Sequence, residues 1–206
     1  MNNSQKTVLI SGGLGDIGRA IAIAFGREGF RVAVGDMPEE PEAGQLLEEM
    51  RSKGCKELFY YKADVTSEQE TAGWLEAVAQ KWGLPQVIVP NAGIVVSGSL
   101  TDDAMTTGQA RRQLEVNFWG SYNLAVQAAK KLKAHNLPGR IIFMGSWAAE
   151  RPTARISSYY CISKAAVRML CKTLALELAA HNILVNEVAP GIVAGGPVEE
   201  KSAERS

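Results

Sequence analysis

The feature that most constrains the fold is a glycine-rich turn near the start of the chain, between an apolar strand and a helix. Residues 6–11, whose centre is the apolar run Val8-Leu9-Ile10, are typical of a buried strand, and residues 11–22 open a helix. Gly13, Gly15 and Gly18 have the spacing G-x-G-x-x-G in that context. Glycines let a backbone turn tightly and approach a pyrophosphate, which then faces the helix N-terminus. The turn therefore predicts a dinucleotide site, and the alternative is an ordinary strand–helix turn rich in glycine.

An acidic residue ends the second predicted strand, at residues 31–36. Asp36 follows Gly18 at close to the separation of about 20 residues that dinucleotide-binding folds use. A carboxylate there accepts hydrogen bonds from the adenosine ribose hydroxyls and repels a 2′-phosphate. Between Asp36 and Arg51 the chain has no Arg or Lys, so the sequence predicts NAD as the cofactor and disfavours NADP. The alternative is a solvated aspartate in a turn.

Apolar strands alternate with amphipathic helices along the chain. Further strands are predicted at residues 57–63, 86–89, 140–144 and 183–188, and further helices at residues 38–53, 67–82, 110–133 and 160–181. This alternation predicts an α/β fold, a doubly wound parallel sheet in three layers, as one dinucleotide-binding domain over residues 1–206. In such sheets ligands bind beyond the carboxyl ends of the strands. Six candidate residues fall there: Gly13, Asp36, Asp64, Asn91, Ser146 and Pro190.

A tyrosine and a lysine four residues apart begin the last predicted helix. Tyr160 and Lys164 lie on one face of that helix, one turn apart. An ammonium beside a phenol favours the phenolate and so lowers the tyrosine pKa from about 10. Such a phenol exchanges a proton with an alcohol near neutral pH, which is general acid–base catalysis. An isolated Tyr-x-x-x-Lys is more often a packed tyrosine with a surface lysine, so the other motifs must support the pair.

Composition argues against several classes of partner. The 22 basic and 22 acidic residues give a formal charge of zero, which predicts no nucleic-acid and no anionic-membrane partner. No apolar run reaches the ~18 residues of a membrane span, and the start of the chain lacks a signal-peptide core. The three cysteines have no CxxC spacing, so free thiols in a reducing, cytoplasmic compartment are expected. No ligand cluster accompanies the two histidines, and no metal site is predicted.

Together these motifs resemble the classical, single-domain type of the short-chain dehydrogenase/reductase family, over residues 6 to about 197. The glycine turn, the Asp-Val after the third strand, the Asn-Ala-Gly after the fourth, the Tyr-x-x-x-Lys pair and the Pro-Gly after the sixth are similar to the family's motifs. The resemblance implies a nicotinamide cofactor bound by Ser11, Gly13, Gly15, Asp16, Ile17, Gly18, Asp36, Asp64, Val65, Asn91, Ala92, Gly93, Tyr160, Lys164, Pro190, Gly191 and Val193.

The resemblance also implies the reaction, which is hydride transfer between nicotinamide C4 and the carbon of a secondary alcohol or ketone. Tyr160 is expected to be the general acid/base, and Lys164 to lower its pKa and hydrogen-bond the nicotinamide ribose. Ser146 is expected to hold the substrate oxygen, and Asn117 to position a relay water behind Lys164. Two alternatives stay open: a non-catalytic dinucleotide-binding or regulatory protein, and an epimerase or dehydratase on the same fold.

The chain departs from the family pattern at two points near these motifs. Asp16 stands where the family's turn usually has glycine, and Gly15 is expected to supply the backbone freedom instead. The gap between the serine and the tyrosine is one residue longer than usual. Tyr159 would restore that gap but would lie off the face of Lys164, so Tyr160 is preferred.

The substrate side of the site is expected to include the end of the chain. Family members continue past Pro-Gly through a substrate loop, a helix and a seventh strand, so residues 192–206 are expected to begin that loop. The sequence given is therefore expected to be incomplete, with the sixth strand at a sheet edge, and a homo-oligomer (dimer or tetramer) is expected. A small-molecule substrate would contact Ser146, Trp147 and Tyr160. Its pocket would be lined by Ile94, Val95, Trp147, Ile192 and Val193, with Arg151 and Arg155 nearby.

Overall fold

The structure, a computed structural model, describes residues 6–101, 106–152 and 158–193 and contains a six-stranded parallel sheet. The strand order is β3-β2-β1-β4-β5-β6. The strands are β1 (Thr7–Ser11), β2 (Arg31–Asp36), β3 (Leu58–Lys62), β4 (Val87–Val89), β5 (Gly139–Met144) and β6 (Ile183–Val188). The helices are α1 (Asp16–Arg27), α2 (Glu40–Ser52), α3 (Glu68–Trp82), α4 (Thr107–Leu114), α5 (Gly120–Ala134) and α6 (Ser158–Leu178).

Apolar side chains are buried on both faces of the sheet. Along β1, Leu9 packs into one cluster, with residues of α3, α5 and α6, while Val8 and Ile10 pack into the other, with residues of α1 and α2. Successive side chains of a strand point to opposite faces, so a strand covered on both sides must be apolar throughout. The predicted doubly wound parallel sheet is confirmed.

The strand order reverses at β1, which pairs with β2 on one side and with β4 on the other. In open parallel sheets this reversal opens a crevice at the carboxyl ends of the two central strands. Ser11 and Asn91 join the two walls of that crevice. The Ser11 Oγ accepts from the backbone N–H groups of Asn91 and Ala92, at 3.0 and 3.1 Å, and the Asn91 side chain donates to the carbonyls of Ser11 and Gly12, at 2.9 and 3.0 Å.

The helix predicted over residues 110–133 is longer and less regular than expected. It begins at Thr107, because Thr106 and Gln109 form a capping box, and a π-helical turn, Glu115–Trp119, separates α4 from α5. A π turn inside an α-helical run is rare and occurs frequently at functional sites. Hydrophobic periodicity does not identify it, because its five residues are too few to distinguish a π turn from an α turn.

β6 lies at one edge of the sheet formed by the described residues, as expected, and its side chains alternate between buried and exposed from Ile183 to Asn186. Residues 194–206, which include most of the expected substrate loop, lie outside the described part of the chain. All three cysteines are described, and each is buried and outside any disulfide. Within the described ranges, no helix combines the length and the apolarity needed to cross a membrane.

The turn between β1 and α1 requires glycine at Gly13 and Gly18, as expected, but also at Gly12 and not at Gly15. Gly12 has a φ of +62°, which L side chains rarely adopt. A Cβ on Gly18 would lie 2.1 Å from the carbonyl oxygen of Gly12, whereas the nearest atom to a Cβ on Gly15 would be 3.5 Å away. Gly15 has an ordinary extended φ of −69°, so the expectation that it supplies the backbone freedom is wrong. Gly12 takes that function.

We expect Gly18→Ala to destabilise the protein far more than Gly15→Ala. The first change forces a methyl group into a backbone carbonyl and should lower the free energy of unfolding by about 2 kcal/mol or more. The second places a methyl group in ordinary van der Waals contact at a helix N-cap and should lower it by no more than about 1 kcal/mol. Urea denaturation of the two matched variants measures both values, and equal losses would contradict this account of the turn.

Candidate active site

Three of the four predicted catalytic side chains meet where β5 ends and α6 begins. Ser146 follows β5 and caps a short 3-10 turn, Trp147–Ala149, by accepting from the Ala148 N–H at 3.2 Å. Its hydroxyl lies near enough to the Tyr160 phenol to act on the pKa of that phenol, which it lowers. The Lys164 Nζ lies 5.7 Å from the centre of the Tyr160 ring. Tyr160 rather than Tyr159 is therefore the tyrosine that faces both partners.

Lys164 is buried, although it carries an amino group. Its Nζ donates to the Met144 carbonyl at 2.7 Å, at the carboxyl end of β5. Burial lowers the pKa of the ammonium to about 8, and the Glu187 carboxylate on β6 opposes that fall. Removal from water disfavours the charged form, and one carbonyl only partly replaces the lost hydration.

The Tyr160 phenol differs from expectation in its acidity. Burial raises its pKa above the ordinary value, the hydrogen bond with Ser146 acts in the opposite direction, and Cys161 adds to the rise. The expectation that Lys164 lowers this pKa is wrong for the arrangement in the structure. The reason is geometric, since the ammonium is directed to the Met144 carbonyl and is itself desolvated.

Asn117, the fourth predicted catalytic residue, is fully buried in the π-helical turn. Its amide bonds the main chain of Ile94 in both directions, accepting at 2.8 Å and donating at 3.0 Å. It also donates to the Ser163 Oγ at 2.9 Å, and Ser163 donates to the Tyr160 carbonyl at 2.8 Å. The loop after β4, the π turn and α6 are thereby held together. Ser163 was missed from the sequence, where its place directly before Lys164 was the available signal.

The adenosine side of the crevice carries the two predicted aspartates. The Asp36 carboxylate accepts from the backbone N–H groups of Leu14 and Met37, both at 2.9 Å, so it lies against the glycine turn. Asp64 accepts from the main chain and hydroxyl of Thr66, at 2.9 and 2.8 Å. Each carboxylate is only partly buried and retains capacity to accept further bonds.

Val65 is buried beside these aspartates, and its carbonyl accepts from the side chain of Asn123 at 3.0 Å. Arg112 lies 3.9 Å from Asp64. Sequence reasoning missed both Asn123 and Arg112, because nothing in their local sequence indicates that α4 and α5 pass beside the end of β3.

Asp16, the departure from the family pattern, lies at the exposed N-terminus of α1 next to Ile17, which is also exposed. It forms an ion pair with Arg19 at 2.6 Å, and Arg19 also donates to the Leu14 carbonyl at 3.0 Å. A carboxylate at a helix N-terminus is favoured by the helix dipole. The arginine balances the negative charge that Asp16 adds near the glycine turn.

Residues after β6 return to the catalytic cluster. The Pro190 carbonyl accepts from the Trp147 N–H at 3.1 Å, while Gly191, Ile192 and Val193 are exposed. Trp147, Ile94 and Val95 are half-buried and Gly93 is exposed on the same side, whereas Arg155 lies outside the described residues. A cavity of about 340 Å³ lies nearby but is not lined by the predicted residues; its lining is Leu100, Ala148, Ala149, Pro152, Ser158, Cys161, Ile162 and Ala165.

No metal centre accompanies this cluster in the ranges that the structure describes, where no group of three or more His, Cys, Asp or Glu residues is placed to hold an ion. His135 ends α5, where its Nδ1 lies 2.9 Å from the Lys131 carbonyl, and His181 ends the 3-10 turn after α6. Both positions agree with the predicted helix ends.

Comparison with known proteins establishes the family. The family model described as short chain dehydrogenase matches residues 6–206, and the chain belongs to the short-chain dehydrogenase/reductase family, whose members are oxidoreductases. Sorbitol dehydrogenase of Cereibacter sphaeroides is 33% identical over 195 residues, covering 95% of this chain and 73% of that protein. Family membership confirms the resemblance found from the motifs.

Solved structures agree with the fold. A variant of actinorhodin polyketide ketoreductase with NADPH gives a TM-score of 0.89 at 30% identity, covering 98% of this chain and 75% of that one. NAD⁺-bound xylitol dehydrogenase gives a TM-score of 0.88 at 29% identity, covering 98% of this chain and 76% of that one. The two relatives carry different nicotinamide dinucleotides.

We expect the stability difference between the natural protein and Lys164→Met to depend on pH. The Lys164 pKa is about 8 in the folded chain and 10.5 ordinarily. Between these values the unfolded chain holds a proton that the folded chain has lost, so the natural protein gains stability as the pH rises. Relative to Lys164→Met, it should be more stable at about pH 10 than at about pH 7. Urea denaturation at both pH values measures this difference, in which all other titrations cancel; a constant difference would show that Lys164 is not desolvated.

Proposed function

We propose that the chain is an NAD-dependent oxidoreductase that transfers a hydride between nicotinamide and a secondary alcohol or its ketone. The observation that carries this proposal is the meeting of Ser146, Tyr160 and buried Lys164 beside the crevice between β1 and β4. A hydroxyl, a phenol and an ammonium at the rim of a dinucleotide crevice can bind an alcohol oxygen and exchange its proton. A protein that only binds a dinucleotide has no need of that arrangement.

The residues around the crevice fit a nicotinamide dinucleotide. A Cβ at Gly12, Gly13 or Gly18 would collide with neighbouring atoms, so the turn leaves its main chain open to a pyrophosphate at the N-terminus of α1. Asp36 would accept from the adenosine ribose hydroxyls, and Asp64 and Val65 would adjoin the adenine. Asn91, Ala92 and Gly93 would form the floor, and Pro190, Gly191 and Val193 would adjoin the nicotinamide.

The choice of NAD over NADP rests on charges at the end of β2. The Asp36 carboxylate lies where a 2′-phosphate would approach. Lys62 is its neighbour in register on β3, but that ammonium is paired with Glu39. Glu40 and Glu42 follow at the start of α2. A second negative group therefore meets repulsion there, and the nearby lysine is engaged elsewhere.

Proton transfer is assigned to Tyr160. The bound cofactor supplies the hydride chemistry, while the protein orients the reactants and moves the proton. In reduction, the phenol donates its proton to the carbonyl oxygen held by Ser146, and its raised pKa keeps that proton in place at neutral pH. Lys164, still largely protonated at neutral pH with a pKa of about 8, would hydrogen-bond the nicotinamide ribose. Asn117 would position a relay water beside it.

We also propose a cytoplasmic homo-oligomer, a dimer or tetramer, of single-domain subunits in which residues from 192 onward begin a substrate loop. Ile162, Met169 and Leu176 support self-association, because they lie on one face of α6 and are 45%, 60% and 83% exposed. Three cysteines without a disulfide among them support a reducing compartment. Sedimentation velocity tests the oligomer, which a single species at the 22.2 kDa of one chain would contradict.

Cofactor choice is tested by fluorescence titration with NADH and with NADPH. NADH should bind with a Kd at least about tenfold lower, equivalent to about 1.4 kcal/mol. Asp36→Asn removes the repelling charge and should reduce the difference between the Kd values for NADH and NADPH. Glu76→Gln, an exposed change on α3, serves as the matched control. Equal or tighter binding of NADPH by the natural protein would contradict the Asp36 argument.

Catalysis is tested by Tyr160→Phe in a screen of secondary alcohols with NAD. We expect the loss of the phenol proton to lower turnover at least about 100-fold, with the Kd for NADH unchanged. Tyr159→Phe, the neighbouring change, should retain turnover. Turnover that survives in Tyr160→Phe would overturn the assignment of this residue. A non-catalytic dinucleotide binder would bind NADH without turning over any alcohol, and an epimerase or dehydratase would act without net change in NADH.

A further inference from the structure

Arg168 is a charged residue beside the catalytic cluster that the mechanism above does not use. It follows Lys164 by one turn on α6, so the two side chains share a helix face. Its guanidinium donates two hydrogen bonds to the carboxylate of Glu187 on β6, from Nε at 2.9 Å and from Nη2 at 3.2 Å. The same Nη2 donates to the main-chain carbonyl of Ser146 at 3.2 Å. Nη1 reaches Glu150 at 3.1 Å.

The segment of main chain that Arg168 contacts is also hydrogen-bonded on either side of Ser146, to the end of β6 and to the residues that follow it. The Gly145 N–H donates to the Val188 carbonyl at 2.8 Å, and the Trp147 N–H donates to the Pro190 carbonyl at 3.1 Å. A Cβ on Gly145 would lie 1.8 Å from a carboxylate oxygen of Glu187. Glu187 therefore packs directly on the main chain before Ser146, and a side chain at position 145 would displace its carboxylate.

The Arg168 side chain and the two glutamates that it contacts are not equally exposed to solvent. The side chains of Arg168 and Glu187 are 19% and 14% exposed, whereas that of Glu150 is 76% exposed. A two-bond guanidinium–carboxylate pair that is mostly shielded from water holds its geometry better than a solvated ion pair. The contact between Arg168 and Glu150 is a solvated ion pair and contributes little to stability.

We propose that Arg168, oriented by Glu187, is a positioning residue that fixes the main chain at Ser146 and so places the Ser146 Oγ against Tyr160. The inference rests on the proposed function of Ser146 as the residue that holds the substrate oxygen. Arg168 acts through Ser146 and touches no reacting atom. The crevice that binds the cofactor lies between β1 and β4, so Arg168 should affect alcohol turnover and leave cofactor binding unchanged.

Replacing Arg168 is expected to let the segment around Ser146 move. A shift of about 1 Å in a residue that orients a substrate can lower the rate by about 100-fold. We therefore expect Arg168→Met, which keeps the apolar stem, to lower kcat for the best alcohol by at least about tenfold. The double variant Arg168→Met/Glu187→Gln guards against misfolding, because it leaves no unpaired carboxylate near the sheet edge. Arg168→Lys keeps the charge without the planar fork and should restore part of kcat.

A readout independent of any substrate comes from fluorine NMR of protein labelled with 5-fluorotryptophan. The chain has four tryptophans, of which Trp147 is next to Ser146. The resonance of Trp147 is assigned as the one that disappears in Trp147→Phe. Arg168→Met and Arg168→Met/Glu187→Gln should shift or broaden the Trp147 resonance and leave those of Trp74, Trp82 and Trp119 unchanged. Glu150→Gln, which removes the exposed partner of the same guanidinium, should change neither the spectrum nor kcat.

The outcomes separate this inference from the proposed function. An unchanged Trp147 resonance in folded Arg168→Met/Glu187→Gln overturns the inference, whether or not a substrate has been found. Changes in all four resonances also overturn it, because they indicate a general structural effect. A local change at Trp147 with an unchanged Kd for NADH supports it. Failure of every alcohol in the screen would count against the proposed function alone, since the NMR result stands without it.

Discussion

A parallel sheet buried on both faces leaves one place where polar side chains from several strands can meet, and that place is its carboxyl edge. In this chain the apolar clusters on either face admit few polar groups. Ser11, Asn91, Ser146 and Asp36 are separated widely in sequence, yet they all follow or end strands that run in the same direction. Their proximity is a consequence of parallel topology.

The cluster of predicted catalytic residues, Ser146, Tyr160 and Lys164, depends on how the protein interior replaces the hydration of the Lys164 ammonium. Lys164 has exchanged water for the Met144 carbonyl, and the loss of hydration appears as a pKa of about 8. The Glu187 carboxylate partly offsets that loss while also holding Arg168. One carboxylate on β6 thus acts electrostatically on Lys164 and mechanically, through Arg168, on the main chain at Ser146. β6, at the edge of the sheet formed by the described residues, therefore helps to support the candidate active site.

A second polar chain runs through the opposite side of the cluster. Asn117 bonds the loop after β4 and, through Ser163, the first turn of α6. Every hydrogen bond that the structure gives to the Asn117 amide group belongs to this connection. The π-helical turn brings the amide to this position, where a regular helix would direct it about one residue's rotation away. The turn therefore connects helix geometry to the site.

Local sequence determined the elements of this protein and their order, because strand apolarity, helix periodicity and the pair Tyr160–Lys164 are all short-range signals. It also indicated the family, whose motifs are contiguous. Tertiary structure alone decided which turn positions leave no space for a Cβ, because the collisions at Gly13 and Gly18 involve Val34 and Gly12 in the folded turn. It decided the direction of the Tyr160 pKa for the same reason, since desolvation depends on surroundings assembled from distant segments. The partnership of Arg168 with Glu187 likewise requires α6 to lie against β6, and no spacing within either segment encodes that contact.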